Sequence, residues 1–362
     1  MRVLFVVFSF LYFYRFQTPL LALVQHQLSE GQTTYAPMVS SLVLTFVLLV
    51  VQRLVSTWVR FSDSCYFFSY VPSALLAVLL TAFTPAVSMP ILVGVGVAFL
   101  CFIVAVVFAC LDKSTSDHSV LSFPQLLATH SLGMLVVFLL MGGMSHTNDV
   151  LTYELDTARS LNLADTERAI HIGEKSLVAS PRLTALRAYA LAKRESGIGD
   201  SLFTFPMAEV GAHQLMFAPD DTLSQLLPPD SLYAKFGVWP SEKESPIGYF
   251  ERMKNRSECS SAKDYWLTAL LLEKDLDKFA HELPLYYTAV DSLDLPVHYK
   301  EAMSLYNSTS SKPLTFKGDS IMREVFQQFL TKEMKYDDSV VRKNKMQRKY
   351  GNTYWWYYFY QN

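Results

Sequence analysis

Charge is nearly missing from the first two fifths of this chain. Residues 1 to 144 hold nine Asp, Glu, Lys or Arg side chains, and residues 145 to 362 hold the other 55. A water-soluble helix needs a polar face every turn, whereas a lipid-facing helix needs none, so the shortage excludes an ordinary soluble bundle for the first block. Basic excess is lacking as well. Net charge is near +1 in the first block and near −3 in the second, which gives neither the surface that phosphate backbones require and makes nucleic acid an unlikely partner class. Cysteine is scarce. Cys65, Cys101 and Cys110 lie in or beside apolar runs and Cys259 stands alone in the polar block, so neither a disulfide framework nor a metal-type cysteine pair can be built there.

Catalytic signatures are also absent. There is no His-Glu-x-x-His and no Gly-x-Ser-x-Gly string, and Gly94, Gly96, Gly142 and Gly143 fall inside apolar runs, where they permit close helix packing rather than cradling phosphate. His171 with Glu174, His281 with Glu282 and His298 with Glu301 are single pairs with no further ligand in register. His130, in an apolar helix beside Thr129, is one polar group and makes no proton pathway. Asn255-Arg-Ser257 and Asn307-Ser-Thr309 match the glycosylation triplet, a pattern that chance explains equally well. No catalytic, metal or cofactor residue is therefore assigned, and no cofactor is expected.

What is present in the first block is apolar length. Ser64 to Leu111 runs for 48 residues without a charge, more than twice the roughly 20 needed for one crossing, and Pro85 and Pro90 mark the corner. The expectation is an anchor over residues 1–145 with five transmembrane helices, at about 3–24, 35–58, 67–84, 90–111 and 125–143. The first is interrupted by Arg15, Gln17 and Pro19. It is read as a retained helix rather than a signal peptide, because no small-residue cleavage site follows. Arg53 and Arg60 in one short loop and Lys113 in another place those loops, and the N-terminus, in the cytoplasm. Residues 146–362 then lie outside, in the periplasm of a bacterium.

Helical periodicity dominates that second block, and the fold class expected is all-α throughout. Leu151, Leu155, Ala158 and Leu161 repeat at three and four. After a turn at Asn162 to Asp165, Ala169, Ile170, Gly173, Ser176, Leu177 and Pro181 follow the spacing of the second helix of a tetratricopeptide (TPR) repeat. A helix over 183–194 closes at Gly197-Ile198-Gly199-Asp200. Another pair is expected at 262–272 and 276–287, with Trp266, Leu270, Phe279 and Leu283 facing inward, and single helices at 296–306 and 321–334. Six prolines between 203 and 256 make that stretch irregular, with short helices at 207–217 and 246–254. The product would be a TPR-like α-solenoid.

Three segments, Glu167-Arg-Ala-Ile to Ser180-Pro181, Asp264-Tyr-Trp-Leu-Thr-Ala-Leu-Leu-Leu-Glu-Lys-Asp-Leu, and Tyr350-Gly-Asn-Thr-Tyr-Trp-Trp-Tyr-Tyr-Phe-Tyr, accompany the helical anchor. Together they resemble an uncharacterised family of polytopic membrane proteins from Bacteroidota-type bacteria, with a TPR-like C-terminal region and an aromatic-rich end. The resemblance implies location and architecture and transfers no catalytic residue.

The aromatic end supplies the candidate binding residues: Tyr354, Trp355, Trp356, Tyr357 and Tyr358, joined by Trp266. Such rings can stack on a sugar or peptide or lie at a membrane interface, or they can close the open end of a solenoid. Two adjacent tryptophans are not expected to face one core, so one of them should meet solvent, lipid or a partner. A basic cluster, Arg342, Lys343, Lys345, Arg348 and Lys349, precedes them and reads as a solvated helix face or as a site for anionic headgroups.

The function expected is a membrane-anchored scaffold or binding protein, with the lipid bilayer and a protein or envelope polymer as partners. The alternative is an envelope glycosyl or lipid transferase, for which only Glu30, Asp149 and Glu154 offer carboxylates near the outer surface.

Overall fold

The architecture is described for residues 1–59, 61, 63–82, 96, 97, 99, 102, 122–145, 148–217, 226–287, 295–310 and 320–361 by a computed structural model. It is all-helical, with no strand among these residues. The chain divides into two compact units, Met1–Asn148 and Asp149–Asn362.

In the first unit, α1 (Arg2–Leu11) runs into a π-helical turn, Tyr12–Phe16, and breaks at Gln17 before α2 (Thr18–Leu28). The two arms meet at 72°. Pro19 has no N–H to give to the preceding turn. The Thr18 hydroxyl donates to the Phe13 and Tyr14 carbonyls (3.2 and 2.7 Å), which lose their helical partners there. The interrupted helix expected over 3–24 is thus a bent pair, and Arg15 lies exposed in the π turn.

Next come α3 (Pro37–Trp58), a 3₁₀ turn (Asp63–Tyr70) continuing into α4 (Val71–Ala82), and α5 (Phe123–Met144). Among the described residues, α3 and α5 are long and apolar enough to cross a membrane, and the bent α1–α2 pair makes a third if counted as one span. Where a span over 67–84 is expected, the described residues form a shorter apolar helix, Cys65–Thr81. Of the span expected over 90–111 only residues 96, 97, 99 and 102 are described, all of them helical, and the corner at Pro85 and Pro90 lies outside the described residues.

α3 carries its polarity inside out. Its buried residues are Ser41, Thr45, Leu48 and Gln52, a stripe at helical spacing, while Leu42, Val43, Phe46 and Leu54 on the other faces are more than half exposed. Gln52 donates to Ser69 (3.0 Å) and Tyr66 (3.3 Å), Ser73 donates to the Leu48 carbonyl (2.8 Å), and Tyr12 meets Thr81 at 3.1 Å. On α5, Gly133 lies against the Phe67 ring so closely that a Cβ would overlap it.

The second unit opens with α6 (Asp149–Asn162), α7 (Thr166–His171) and α8 (Pro181–Leu191), which pack on one another. Beyond an irregular stretch lie α9 (Pro229–Phe236), α10 (Pro246–Arg256), α11 (Ala262–Leu272), α12 (Leu276–Glu282), α13 (Val297–Thr309), α14 (Ser320–Glu333), α15 (Ser339–Tyr350) and α16 (Tyr354–Tyr360). Most of these helices start where the sequence provides a cap. Ser180, Ser245, Asp338 and Thr353 accept N–H groups of the first turn, and proline occupies the start of α8, α9 and α10. α11 is buried from Tyr265 to Leu272 and forms the centre of the unit.

One junction is built twice. α6 ends on Ala164 at φ +60° and α7 begins at Asp165, whose carboxylate caps Arg168 N–H (3.2 Å). α11 ends on Lys274 at φ +60° and α12 begins at Asp275, which caps Lys278 N–H (3.0 Å). In both, the aspartate N–H reaches back five residues, to Ser160 O (2.9 Å) and to Leu270 O (3.0 Å). The repeat goes no further. The second helix expected through Ser176 and Leu177 stops at His171, because Gly173 takes φ +66° and turns the chain, so a TPR solenoid is not shown. Residues 207–217, expected as a helix, form a single 3₁₀ turn, Ala212–Leu215, after Gly211 at φ +124°.

Candidate functional site: a basic groove beside the aromatic helix

Arg187 is the organising residue. It sits in the apolar row of α8, 1 % exposed, and donates from its Nη2 to the Ile172 carbonyl at 2.9 Å while its guanidinium lies 4.5 Å over the Phe205 ring. Burial pulls its pKa down to about 10. One side chain thereby ties the loop after α7 to the loop after α8. Gly173 gives the first loop its turn, and a Cβ there would sit 3.0 Å from Tyr153.

A third wall comes from α15 and its junction with α16. Met346 and Tyr350 are buried on one side of α15, with Tyr350 edge-on to Phe329 at 5.1 Å. Lys343, Arg348 and Lys349 face the cavity between the three walls, which has a volume of about 520 Å³ and takes Lys175 from the first loop. Trp356 and Tyr357 line its base. Gln361 closes one end, donating to the Met207 and Ala208 carbonyls at 3.1 and 3.2 Å.

The electrostatics are one-sided. No carboxylate among the described residues pairs with Lys175, Lys343, Arg348 or Lys349, and the one acidic residue on the rim, Glu174, is engaged by His171 at 3.0 Å. Arg348 and Lys349 stand in the last turn of α15, where they complement the helix dipole. That reason does not extend to Lys343 or to Lys175 on a different segment.

The aromatic end is mostly core. Tyr354, Trp355, Trp356 and Tyr357 are all buried, and Tyr358 is half-buried. Both tryptophans find cover, contrary to the expectation for adjacent large rings, because the short helix is wedged between two sets of neighbours. Trp355 packs on Phe326 and Phe329 and donates to the Glu301 carbonyl (2.8 Å), while Trp356 stacks on Tyr360 at 4.6 Å. The hydroxyls of Tyr354 and Tyr357 donate to Leu271 O (3.1 Å) and Leu272 O (2.6 Å) at the end of α11, carbonyls that also accept the N–H groups of Lys274 and Gly211. Only Trp356 and Tyr357 of the expected binding residues reach the groove.

Trp266 is elsewhere. It is fully buried in α11, donates to Glu282 (3.1 Å) and carries Lys254 and Lys278 over its ring at 4.6 and 4.7 Å.

The remaining polar candidates are structural. His298 and Glu301 form a buried pair at 2.8 Å, and Glu301 also accepts Tyr354 N–H (2.7 Å), which docks the aromatic helix. Glu154 accepts from Ser180 and Arg182, joining α6 to the start of α8. Glu30 and Asp149 are exposed. Among the described residues no three His, Cys, Asp or Glu side chains are grouped to hold a metal ion.

Residues 241–361, about one third of the chain, match a family described as a family of unknown function (DUF6057). The match takes in α11 and the aromatic end, two of the three segments that carry the resemblance read from the sequence, and fits an uncharacterised family. No curated protein and no solved structure matches the chain.

Sequence reading missed Arg187 and the loop at 203–207. A lone charge inside Leu183-Thr-Ala-Leu-Arg-Ala-Tyr-Ala-Leu191 was the available signal, since such a side chain must find a buried acceptor or a ring.

Proposed function

We propose that this is a multi-pass protein of the bacterial cytoplasmic membrane that presents its second unit, as a binding or scaffold module, on the extracytoplasmic side. The observation carrying the reading is the reversed burial of α3, whose polar stripe is sealed inside the first unit while its apolar side chains face out. In water that arrangement is costly, since burial of those apolar side chains is what stabilises a soluble bundle; in lipid it is the expected one. Trp58, 87 % exposed at the end of α3 beside Arg53, suits the headgroup level.

The direction rests on Arg53, Arg60 and Lys113, which favour the cytoplasm for their loops. A TPR-like character rests on the junction that recurs at Asp165 and Asp275. The surface for a protein or envelope-polymer partner is the basic groove. Enzyme chemistry gains no support, because the carboxylates it needs are exposed singly or used in packing.

Two measurements test the reading. The full chain should stay with membranes after alkaline carbonate washing, and a phosphatase domain fused after residue 150 should be active. Release into the wash, or an inactive fusion alongside an active fusion in the loop near Arg60, would overturn it.

A further inference from the structure

We propose that the groove bounded by Lys175, Lys343, Arg348 and Lys349 is a binding site for a phosphorylated sugar. This deepens the reading of the groove as the binding surface and is independent of where the membrane lies.

Three observations select the ligand. First, four cations from two separate segments line one concavity without a carboxylate partner among the described residues, and the nearest acid is held by His171. A phosphate monoester brings close to two negative charges to such a place, and point-charge lysines beside one arginine suit its tetrahedral oxygens better than a planar carboxylate. Second, the volume of about 520 Å³ suits a small molecule rather than the flat face of a bilayer.

Third, the aromatic faces are already taken. Arg187 covers one face of Phe205 and Tyr360 one face of Trp356, while Phe203 and Tyr357 pack against each other and carry His298, Tyr354 and Lys274 as further neighbours, which leaves little open ring face for a nucleobase to stack on. What remains beside the charges is neutral hydrogen-bonding capacity, from the amides of Gln347 and Asn352 and from the parts of the Ser176 and Thr204 hydroxyls not used on Val178 N–H and Ser201 O, which matches a ring bearing several hydroxyls.

The test is calorimetric titration of the full chain in detergent with glucose 1-phosphate and glucose 6-phosphate, using glucose, inorganic phosphate, AMP and phosphatidylglycerol nanodiscs as comparators. At least one sugar phosphate should bind more tightly than glucose, phosphate or AMP. The variant Lys343→Gln/Arg348→Gln/Lys349→Gln should weaken that binding by about tenfold or more, and Arg323→Gln/Lys335→Gln/Lys345→Gln, which removes three exposed cations outside the groove, should change it less than about twofold. Lys175→Gln, on a loop distant in sequence from α15, should weaken binding too and serves where the triple variant does not fold. Equal losses in both triple variants, AMP as the tightest ligand, no binding by either sugar phosphate, or binding to phosphatidylglycerol nanodiscs alone would overturn the proposal. None of these outcomes touches the membrane assignment, which the carbonate wash and the fusions decide separately.

Discussion

A buried guanidinium with no carboxylate beside it needs an acceptor for its N–H groups and a partner for its flat face. Arg187 uses one N–H on Ile172 O and its face on Phe205, so removing it unties two loops at once and leaves a cavity. Arg187→Ala should lower the stability of the second unit by about 2–3 kcal/mol, read as a shift in chemical denaturation of the full chain in detergent. Arg187→Lys should recover only part of this, because an ammonium cannot stack as a plane. Ala164 presents the opposite case, an exposed residue held at φ +60° where glycine carries no penalty. Ala164→Gly should stabilise by about 1 kcal/mol; a destabilisation would show that the junction does not adopt this conformation in solution.

Tyrosines give the pH dependence. Burial pushes the hydroxyls of Tyr265, Tyr299 and Tyr354 well above their ordinary value, and burial, followed by the charge of Asp264, pushes Tyr287 up to about 12. A folded-state pKa above the unfolded one means that these groups give their full stabilisation below about pH 10 and lose it as pH rises through the folded values. In an alkaline titration, part of the tyrosinate absorbance should therefore appear together with the loss of helical circular dichroism. Complete titration of all tyrosines near pH 10 with the helices intact would contradict the burial described.

At the scale of elements, the aromatic helix acts as a plug for α11. Its tyrosine hydroxyls donate to the Leu271 and Leu272 carbonyls, Glu301 holds its first N–H, and four of its rings are buried, so truncation before Tyr354 should unfold the second unit rather than merely abolish binding. Gly133 on α5 has the same kind of importance in the first unit, and Gly133→Leu should push α5 off Phe67 and lower the thermal midpoint in detergent.

Much of this element list was legible from period and caps. α3 and α5 fall within two residues of their expected ends, and the inward faces of α11 and α12, Trp266, Leu270, Phe279 and Leu283, are all fully buried. Backbone conformation was less legible. Gly173 fits the spacing of a small residue in a paired helix, yet it serves as a turn at positive φ, and the period of the flanking residues cannot distinguish the two uses. The bend at Gln17 was foreshadowed by Pro19, but an apolar count over 3–24 does not register a change of direction. For the site, the basic cluster and Trp356 were visible as separate features. Their meeting with Lys175 depends on contacts between segments more than 150 residues apart, which no local pattern encodes.

For the whole molecule, the two units are proposed to answer to different solvents. The second buries most of its large rings, Trp266, Trp355, Tyr265 and Tyr299 among them, and leaves most of its charges exposed, the pattern of a protein in water. The first hides Ser41, Thr45 and Gln52 and displays Leu42, Phe46 and Leu54, an arrangement that fits the apolar surroundings proposed for it. The most direct test places nitroxide labels at Leu42, Phe46 and Leu54 of the chain reconstituted in lipid bilayers and compares quenching by oxygen with quenching by a water-soluble nickel chelate. Greater accessibility to oxygen than to the chelate at Leu42 and Phe46, with labels on α15 showing the reverse, is the predicted result. Chelate accessibility at Leu42 and Phe46 equal to that on α15 would contradict the account.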